Sequence, residues 1–325
     1  MHRECLSGTL TSLLALACVA PAAPAPPTDQ PGVAREGTVI SISSGPPYPG
    51  LWLAGACGRS VRHLKGVVLG IGVHVVEADL RDPAVRVEAV LSRGGVGSDE
   101  RFGALIRRTQ PAAAITGTFF GIRNRIPTGD IVIDGKAVFR GFVGTAIAIR
   151  RSNTVEFVRT RRGAPRRDWS GYQTVLQAGP TLIEQGRIAL DARGEGFRTL
   201  PITPRRRRTA VALTSDDHLL LITVRQGITL WELSKICRAL HVREAAALDG
   251  GSSTALYFNG RFLANPSRGL TNLLLIHRDR IPRAPSGTPG ERSSVEQKSP
   301  GTAQRSGGSS PCRTNDGKAS PPCCL

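Results

Sequence analysis

The sequence contains a series of short apolar runs, rich in Val, Ile and Leu, that are bounded by turn residues. Runs of this kind stand at 72–80, 85–90, 112–120, 209–214, 219–224 and 273–276. Short runs with many β-branched side chains are typical of strands, and several of these are apolar enough to be buried on both faces. The sequence therefore predicts a protein built mainly from strands.

Turn signals between neighbouring runs predict hairpins. Asp134-Gly135 follows the run 131–133, and Asn259-Gly260 separates 257–258 from 262–263. Both dipeptides favour the tight turns that join antiparallel strands. A further hairpin is predicted across Ser152-Asn153, and 215–218 forms the turn between the strands 209–214 and 219–224.

Two helices are predicted. The first begins at Ser98, has Asp99 and Glu100 in its first turn, and presents an apolar face of Phe102, Leu105 and Ile106. The second has Thr229 as its N-cap and Glu232 at the third helical position, which together make a capping box. Its apolar face carries Leu230, Leu233, Cys237 and Leu240.

Strands outnumber helices in this prediction, and the two do not alternate regularly. That order favours the α+β class: a mixed, mostly antiparallel sheet with a few packed helices, forming a single catalytic-type domain. A chain of 325 residues is long enough to bury a sizeable core of this kind.

The two ends of the chain differ from its middle. Arg3 precedes the apolar run 10–23, and small residues and prolines follow, which is typical of a secretory signal peptide. Residues 14–18 also loosely resemble a lipoprotein cleavage box; the alternative is an apolar N-terminus of a cytosolic protein. We predict a signal peptide at 1–23, a linker at 24–36, a folded domain at 37–281 and a disordered Gly/Ser/Pro-rich tail at 282–325. The protein would be secreted or periplasmic, with no transmembrane helix beyond the signal peptide.

The chain is strongly basic, with a formal net charge of +18. Nucleic acid, an anionic envelope or an anionic substrate could each match this charge, and so could a generally basic surface without a specific partner. Arginine runs lie at 159–167 and 205–208, but they lack interleaved aromatic residues and any recognisable nucleic-acid module. Nucleic acid is therefore the least favoured partner.

The cysteines and histidines do not indicate a metal site. Seven cysteines form no CxxC pair, and the six histidines are scattered. In the predicted domain, Cys57 and Cys237 either pair in an oxidising compartment or Cys237 is a buried apolar residue on its helix. No metal and no cofactor is predicted, and the participation of a divalent metal is left open.

The strongest local motif is Asp249-Gly250-Gly251-Ser252-Ser253-Thr254, which follows the short apolar strand 245–248. Glycines let the backbone approach a ligand closely, successive N–H groups can bind an anion, and the hydroxyls add donors and acceptors. An aspartate at the end of a strand is held rigidly. The alternative is an ordinary Asp-Gly turn with polar neighbours.

This motif resembles the glycine-rich aspartate loop of the phosphodiester glycosidase family, and other segments resemble family motifs in the same order. They are 72–83, 115–120 with the sequence Ile-Thr-Gly-Thr-Phe-Phe, 127–130, 134–136, 177–182, 208–212, and the helix after Gly227. The resemblance extends along most of the predicted domain. It implies hydrolysis of the bond between a sugar and a phosphodiester on an envelope or extracellular glycan, with a sugar-1-phosphodiester or an anionic glycan as substrate.

The resemblance also implies roles for individual residues. Sugar-bond cleavage commonly uses two carboxylates, for which the candidates are Asp249 and Asp130, although Asp130 could equally form a structural Asx-turn. Arg208 would hold the phosphate bidentately, unless it is only part of the basic run. Further substrate-binding candidates are Thr116, Gly117, Thr118, Phe120, Gly250, Gly251, Ser252, Ser253, Thr254 and Asn272; Asn272 would orient a sugar hydroxyl or serve as a turn amide.

Two departures from the family pattern bear on activity. Thr116 stands where the family has Asn, which removes an amide, and the loop has two glycines where the common pattern has three. These changes favour an alternative: a catalytically weakened carbohydrate- or envelope-binding module on the same fold. A basic nucleic-acid-binding protein is the less favoured alternative.

Overall fold

The computed structural model describes residues 48–197 and 204–278. The predicted signal peptide, linker and tail lie outside these residues. In the described part, the apolar runs form strands numbered in chain order: β1 (Leu51–Cys57), β2 (Val61–Val68), β3 (Ile71–Asp79), β4 (Val85–Leu91), β5 (Ala113–Thr116), β6 (Ile131–Ile133), β7 (Lys136–Phe139), β8 (Thr145–Ile149), β9 (Val155–Arg159), β10 (Thr174–Gln177), β11 (Thr181–Glu184), β12 (Arg187–Ile188), β13 (Arg206–Leu213), β14 (His218–Ile228), β15 (Glu244–Ala247), β16 (Leu256–Phe258), β17 (Arg261–Ala264) and β18 (Asn272–Arg278).

Two α-helices accompany these strands in the described residues, α1 (Phe102–Thr109) and α2 (Leu230–Ala239). The strands form three sheets. The first sheet has the order β1-β2-β3-β14-β13-β15-β11-β12, the second β7-β6-β10-β8-β9 and the third β17-β16-β5-β18-β4. The ladders described between these strands are antiparallel, which confirms the predicted α+β class with a mostly antiparallel sheet.

The core lies on both faces of the first sheet. One face packs under α2, and that apolar cluster includes Ala210, Ile222, Leu233 and Cys237. The opposite face packs against the second and third sheets in a single larger cluster. Helix α1 covers the outer face of the third sheet. The alternation of side chains along each strand therefore sends successive residues of β13 and β15 into different cores.

The predicted hairpins are confirmed: β6 and β7 meet at Asp134-Gly135, β8 and β9 across Ser152-Asn153, and β16 and β17 at Asn259-Gly260. Asn259 and Gly260 both have positive φ, of 41° and 84°, as a type I′ turn requires.

The predicted start of the first helix is wrong by four residues. Helix α1 begins at Phe102 and not at Ser98, so Asp99 and Glu100 precede it. The backbone of Glu100 is instead bound to that of Leu270, with both N–H groups donating to the opposite carbonyl at 2.9 Å. This bridge to a segment distant in sequence holds the chain extended where local propensity favours a helix. The predicted apolar face is correct and buried.

The predicted capping box of α2 is confirmed. The Glu232 backbone N–H donates to Thr229 Oγ1 at 3.1 Å, and the Thr229 N–H donates to Glu232 Oε2 at 2.8 Å. Cys237 is fully buried under this helix, and both Cys57 and Cys237 are free thiols. Burial raises the pKa of the Cys237 thiol to about 12. Cys237 therefore acts as an apolar core residue.

Replacing Thr229 with Ala is expected to lower the free energy of unfolding by about 1 kcal/mol, because the first turn of α2 loses an acceptor for one of its N–H groups. Urea denaturation followed by circular dichroism measures the change. An unaltered midpoint would show that the cap contributes nothing to stability.

Candidate functional site

The site is built where β15, an interior strand of the first sheet, places Asp249 at the end of β5, the central strand of the third sheet. Just before it, the Leu248 N–H donates to Thr209 O at 3.0 Å, and Thr209 Oγ1 donates to the carbonyl of Asp249. The Asp249 N–H donates to Gly117 O, in the third sheet, at 3.0 Å. The backbone of Asp249 is thus held from two sheets, which keeps its carboxyl in one place.

The two glycines after Asp249 are both required by the geometry. A Cβ on Gly250 would lie 2.8 Å from the carbonyl oxygen of Arg207, and Gly251 has φ of +61°. Gly251–Ser253 then forms a 3-10 turn, and the Gly250 N–H donates to Asp249 Oδ1 at 2.9 Å. The loop therefore wraps its backbone around the carboxyl.

The third sheet supplies the opposite wall. Strand β5 ends at Thr116, earlier than the predicted run to 120, because the chain leaves the ladder at Gly117. The N–H groups of Gly117 and Thr118 donate to the backbone O and the Oδ1 of Asn272, at 3.2 and 2.8 Å. A Cβ on Gly117 would come within 1.9 Å of Asn272 Oδ1, so only glycine fits. Asn272 Nδ2 donates to Thr271 Oγ1 at 2.7 Å. The buried Asn272 therefore positions the 117–118 segment.

Arg268 completes the cluster, and the sequence analysis missed it. It lies in the loop between β17 and β18, where its Nε donates to Ser252 Oγ at 2.6 Å and its guanidinium carbon lies 5.7 Å from the ring centroid of Phe120. Its charge also lowers the pKa of Asp249. The sequence offered little to distinguish it from other arginines, apart from its place four residues before Asn272.

Burial raises the pKa of Asp249 to about 6. The Ser253 hydroxyl, the charge of Arg268 and the Gly250 N–H each oppose this rise, but they do not outweigh desolvation. Asp249 as a residue keeps part of its surface exposed, although protein atoms surround its carboxyl. The carboxyl is therefore mostly ionised at neutral pH and becomes protonated in mild acid, within the range useful for catalysis.

Three hydroxyls of the aspartate loop and of the 117–118 segment bound to it are buried without a hydrogen-bond partner among the described residues: Thr118 Oγ1, Ser253 Oγ and Thr254 Oγ1. Ser253 is near enough to Asp249 to lower its pKa, yet its Oγ makes no hydrogen bond of normal geometry. Buried hydroxyls are normally satisfied. The unpaired Ser253 hydroxyl next to the Asp249 carboxyl is therefore a candidate contact for a ligand.

Asp130, the predicted second carboxylate, is held by other contacts. Its Oδ1 accepts from the Gly141 N–H at 2.8 Å, and its Oδ2 accepts from Trp169 Nε1 at 2.5 Å and lies 3.6 Å from Arg140 Nη1. It contributes to the wall of a cavity of about 430 Å³ that is lined mainly by 158–167. The contacts of Asp130 thus stabilise the second sheet and its loops, whereas those of Asp249 join the first and third sheets.

The structure separates the arginines of the 205–208 run. Arg208 is buried, and its Nε and Nη2 donate to the carbonyl oxygens of Ile228 and Pro204 at 3.1 and 2.8 Å. Arg207 points to the other face of β13, where its Nε donates to Gly251 O at 3.1 Å. It is therefore Arg207 that has a described contact with the aspartate loop.

Within residues 48–197 and 204–278, no group of three or more His, Cys, Asp or Glu side chains is placed to hold a metal ion. Over the same residues, no helix is long and apolar enough to cross a membrane.

Relatives with solved structures share this fold. A hypothetical protein from Synechocystis superposes with a TM-score of 0.59 at 18% identity, over 67% of this chain and 62% of its own. The zebrafish N-acetylglucosamine-1-phosphodiester alpha-N-acetylglucosaminidase catalytic domain, auto-inhibited by its pro-peptide, superposes with a TM-score of 0.56 at 21% identity, over 70% of this chain and 88% of its own. At these identities the likeness shows the fold alone.

Sequence comparison supports the family directly. The N-acetylglucosamine-1-phosphodiester alpha-N-acetylglucosaminidase of Mus musculus is 26% identical over 256 residues, which are 72% of this chain and 48% of the mouse protein. The chain thus spans about half the length of this relative. The family model described as phosphodiester glycosidase matches residues 109–277, more than half of the chain, and this range includes Thr116, Asp249, Arg268 and Asn272. The chain belongs to the phosphodiester glycosidase family.

Proposed function

We propose that this chain is a hydrolase that cleaves the bond between a sugar and a phosphodiester on an envelope or extracellular glycan. The observation that carries the proposal is the desolvated carboxyl of Asp249, which lies beside Arg268 and the Ser253 hydroxyl. Family membership supports it. The N-terminal pattern at 1–23 supports action in a secreted or periplasmic setting.

In the proposed reaction, Asp249 in its ionised form stabilises the positive charge that develops on the sugar ring as the bond to the phosphate breaks. Arg268 holds the phosphate oxygens, because a planar guanidinium matches their geometry. Water supplies a hydroxyl to the sugar and a proton to the leaving phosphate. Phosphate is a good leaving group and needs little general-acid help, so one carboxylate can serve the sugar. The side-chain hydroxyls of Ser253 and Thr118 form hydrogen bonds with hydroxyls of the sugar.

Asp130 and Arg208 have secondary places in this proposal. Each already has hydrogen-bond partners within the protein, so we assign to Asp130 the support of the second sheet and to Arg208 the support of β13 and β14. Their catalytic roles stay predictions from the sequence.

A panel of sugar-1-phosphodiesters tests the function. The purified domain is incubated with substrates that differ in the sugar and in the group beyond the phosphate, with and without chelator, and the released sugar is measured. We expect turnover of at least one substrate. Loss of turnover with chelator would show that a divalent metal takes part.

The alternative is a catalytically weakened carbohydrate- or envelope-binding module. The buried Thr116, at the end of β5 next to Gly117, favours it, because an amide is missing there relative to the family pattern. Binding of the same compounds without hydrolysis would establish this alternative and overturn the enzymatic proposal.

The rate of hydrolysis is expected to depend on pH through Asp249. Its pKa of about 6 means that the ionised form predominates above pH 6. Below this value, kcat/KM should fall by about tenfold for each pH unit, and above it the rate should reach a plateau. The measurement is a pH–rate profile from pH 4 to 8. The residual activity of Asp249→Asn should lack this ascending limb, and a rate that instead rises towards acid would mean that the carboxyl acts as an acid.

A further inference from the structure

A row of side chains crosses one face of the first sheet. In register, Trp52 lies opposite Lys65, Lys65 opposite His74, His74 opposite Thr223, and Thr223 opposite Thr209. Residues that are directly opposite in antiparallel strands share a face. Five strands at the usual spacing place the two ends of the row about 20 Å apart.

This face is apolar at one end of the strands and polar at the other. Val211 and Leu221, two residues from Thr209 and Thr223, belong to the large core between the sheets. At the polar end a groove of about 600 Å³ opens. We call it the sheet-face groove, and its lining is Trp52, Lys65, Gly66, Gly72, Val73, His74, Arg207, Arg225 and Gln226.

The charge of the sheet-face groove favours an anion. Lys65, Arg207 and Arg225 contribute three cations, and no acidic residue lines the groove. Lys65 and Arg225 are exposed and form no ion pair with the described residues. Burial lowers the pKa of His74, and the charges of Arg225 and Lys65 lower it further. This imidazole therefore adds no further positive charge at neutral pH. The cations repel one another until an anion neutralises them.

Trp52 gives the far end of the groove an aromatic platform. Half of its surface is exposed, and its ring lies over Gly66, where a Cβ would come within 2.9 Å of it. An exposed ring that is held in this way offers a flat apolar surface beside polar groups. A sugar ring, which has both kinds of surface, fits this arrangement.

At its other end the sheet-face groove meets the aspartate loop. Arg207 lines the groove, and its Nε and Nη1 donate to Gly251 O and Asn265 O at 3.1 and 3.3 Å. Thr209, at the end of the row, donates to the carbonyl of Asp249. Because Thr209 and Thr223 are fully buried, Arg207 is the side chain that connects the sheet-face groove to the aspartate loop.

We propose that the sheet-face groove binds the part of the substrate beyond the phosphodiester, and that this part is an anionic glycan of repeated sugar-phosphate units. A sugar ring stacks on Trp52, and a second phosphate contacts Lys65 and Arg225. This inference rests on the proposed function and deepens it. The groove would then determine specificity for extended anionic substrates.

The test compares Trp52→Ala and Lys65→Glu with two matched controls. Trp231, which is 49% exposed against 50% for Trp52, and the exposed Lys235 both lie on α2, on the opposite face of the first sheet. The substrates are a methyl sugar-1-phosphodiester and a synthetic trimer of sugar-phosphate units. We expect each groove variant to lower the ratio of kcat/KM for the trimer to that for the methyl diester by about tenfold. Trp231→Ala and Lys235→Glu should leave it unchanged.

Binding of the trimer to Asp249→Asn, by calorimetry, keeps this test separate from the test of catalysis. One outcome is that the trimer binds although no substrate is hydrolysed, and that the groove substitutions weaken its affinity about tenfold. With that result the enzymatic proposal fails and the groove assignment stands. The assignment is overturned if both groove variants keep the wild-type ratio of kcat/KM for the trimer to that for the methyl diester. It is also overturned if the α2 controls lower this ratio as much as the groove variants do. Equal competition by single-stranded DNA of the same charge would also overturn it, since the groove would then be an unspecific polyanion site.

Discussion

Replacing Asp249 with Asn is expected to lower the turnover of a sugar-1-phosphodiester by on the order of a hundredfold or more. Asparagine keeps the shape of the side chain, and its Oδ1 can still accept the Gly250 N–H. It removes the negative charge that is proposed to stabilise the sugar cation. Burial already disfavours that charge in the folded protein, so the substitution should leave the melting temperature equal or higher. Steady-state kinetics and thermal denaturation measure the two effects.

Asp134→Asn is the matched control. Asp134 is exposed at the hairpin between β6 and β7, where φ of 50° is readily adopted by Asn. This variant should keep both turnover and stability. If Asp249→Asn retained most of the wild-type rate, the carboxylate would have no role in the chemical step, and the site would have to be sought elsewhere.

Replacing Arg268 with Lys should have the second-largest effect, a loss of about tenfold to a hundredfold in kcat/KM. Lysine keeps the positive charge near Asp249, but it lacks the planar fork that donates to Ser252 Oγ and is proposed to hold the phosphate. The substitution also replaces the planar guanidinium that lies over the Phe120 ring with an ammonium group. Kinetics with a methyl sugar-1-phosphodiester measure the loss, and stability should change little because Arg268 is partly exposed.

Arg208→Lys should behave in the opposite way. The guanidinium of Arg208 joins the carbonyls of Ile228 and Pro204, so its loss should cost about 1–3 kcal/mol of folding free energy, with a smaller effect on turnover. Arg205→Lys, at an exposed ion pair with Glu232, should be nearly silent in both measurements. A large loss of turnover in Arg208→Lys, with stability intact and Arg268→Lys silent, would restore the phosphate role that the sequence predicted for Arg208.

Local sequence was sufficient where the determining interactions are short-ranged. The capping box of α2 needs only Thr229 and Glu232, three residues apart, and the hairpin turns need only their central pairs. The loop after β15 was recognised for the same reason, since two glycines following Asp249 already indicate a backbone that must come close to its neighbours.

Local sequence failed where a distant segment competes with propensity. Residues 98–101 carry helix-starting side chains, yet the pairing of Glu100 with Leu270 keeps them out of α1. Strand β5 stops at Thr116 because Asn272, far along the chain, takes the next two N–H groups. Neither partner can be identified from its spacing in the sequence.

The fold class, the turns, the second helix and the position of the candidate aspartate could be predicted from the sequence, because periodicity and turn chemistry depend on near neighbours. Tertiary structure alone decided which side chains surround Asp249. The β17–β18 loop brings Arg268 to it, and the pairing of β13 with β15 turns Arg207 towards the loop and Arg208 away from it. The raised pKa of Asp249 and the row from Trp52 to Thr209 also arise only when the sheets pack, since burial and cross-strand register are properties of the assembled chain.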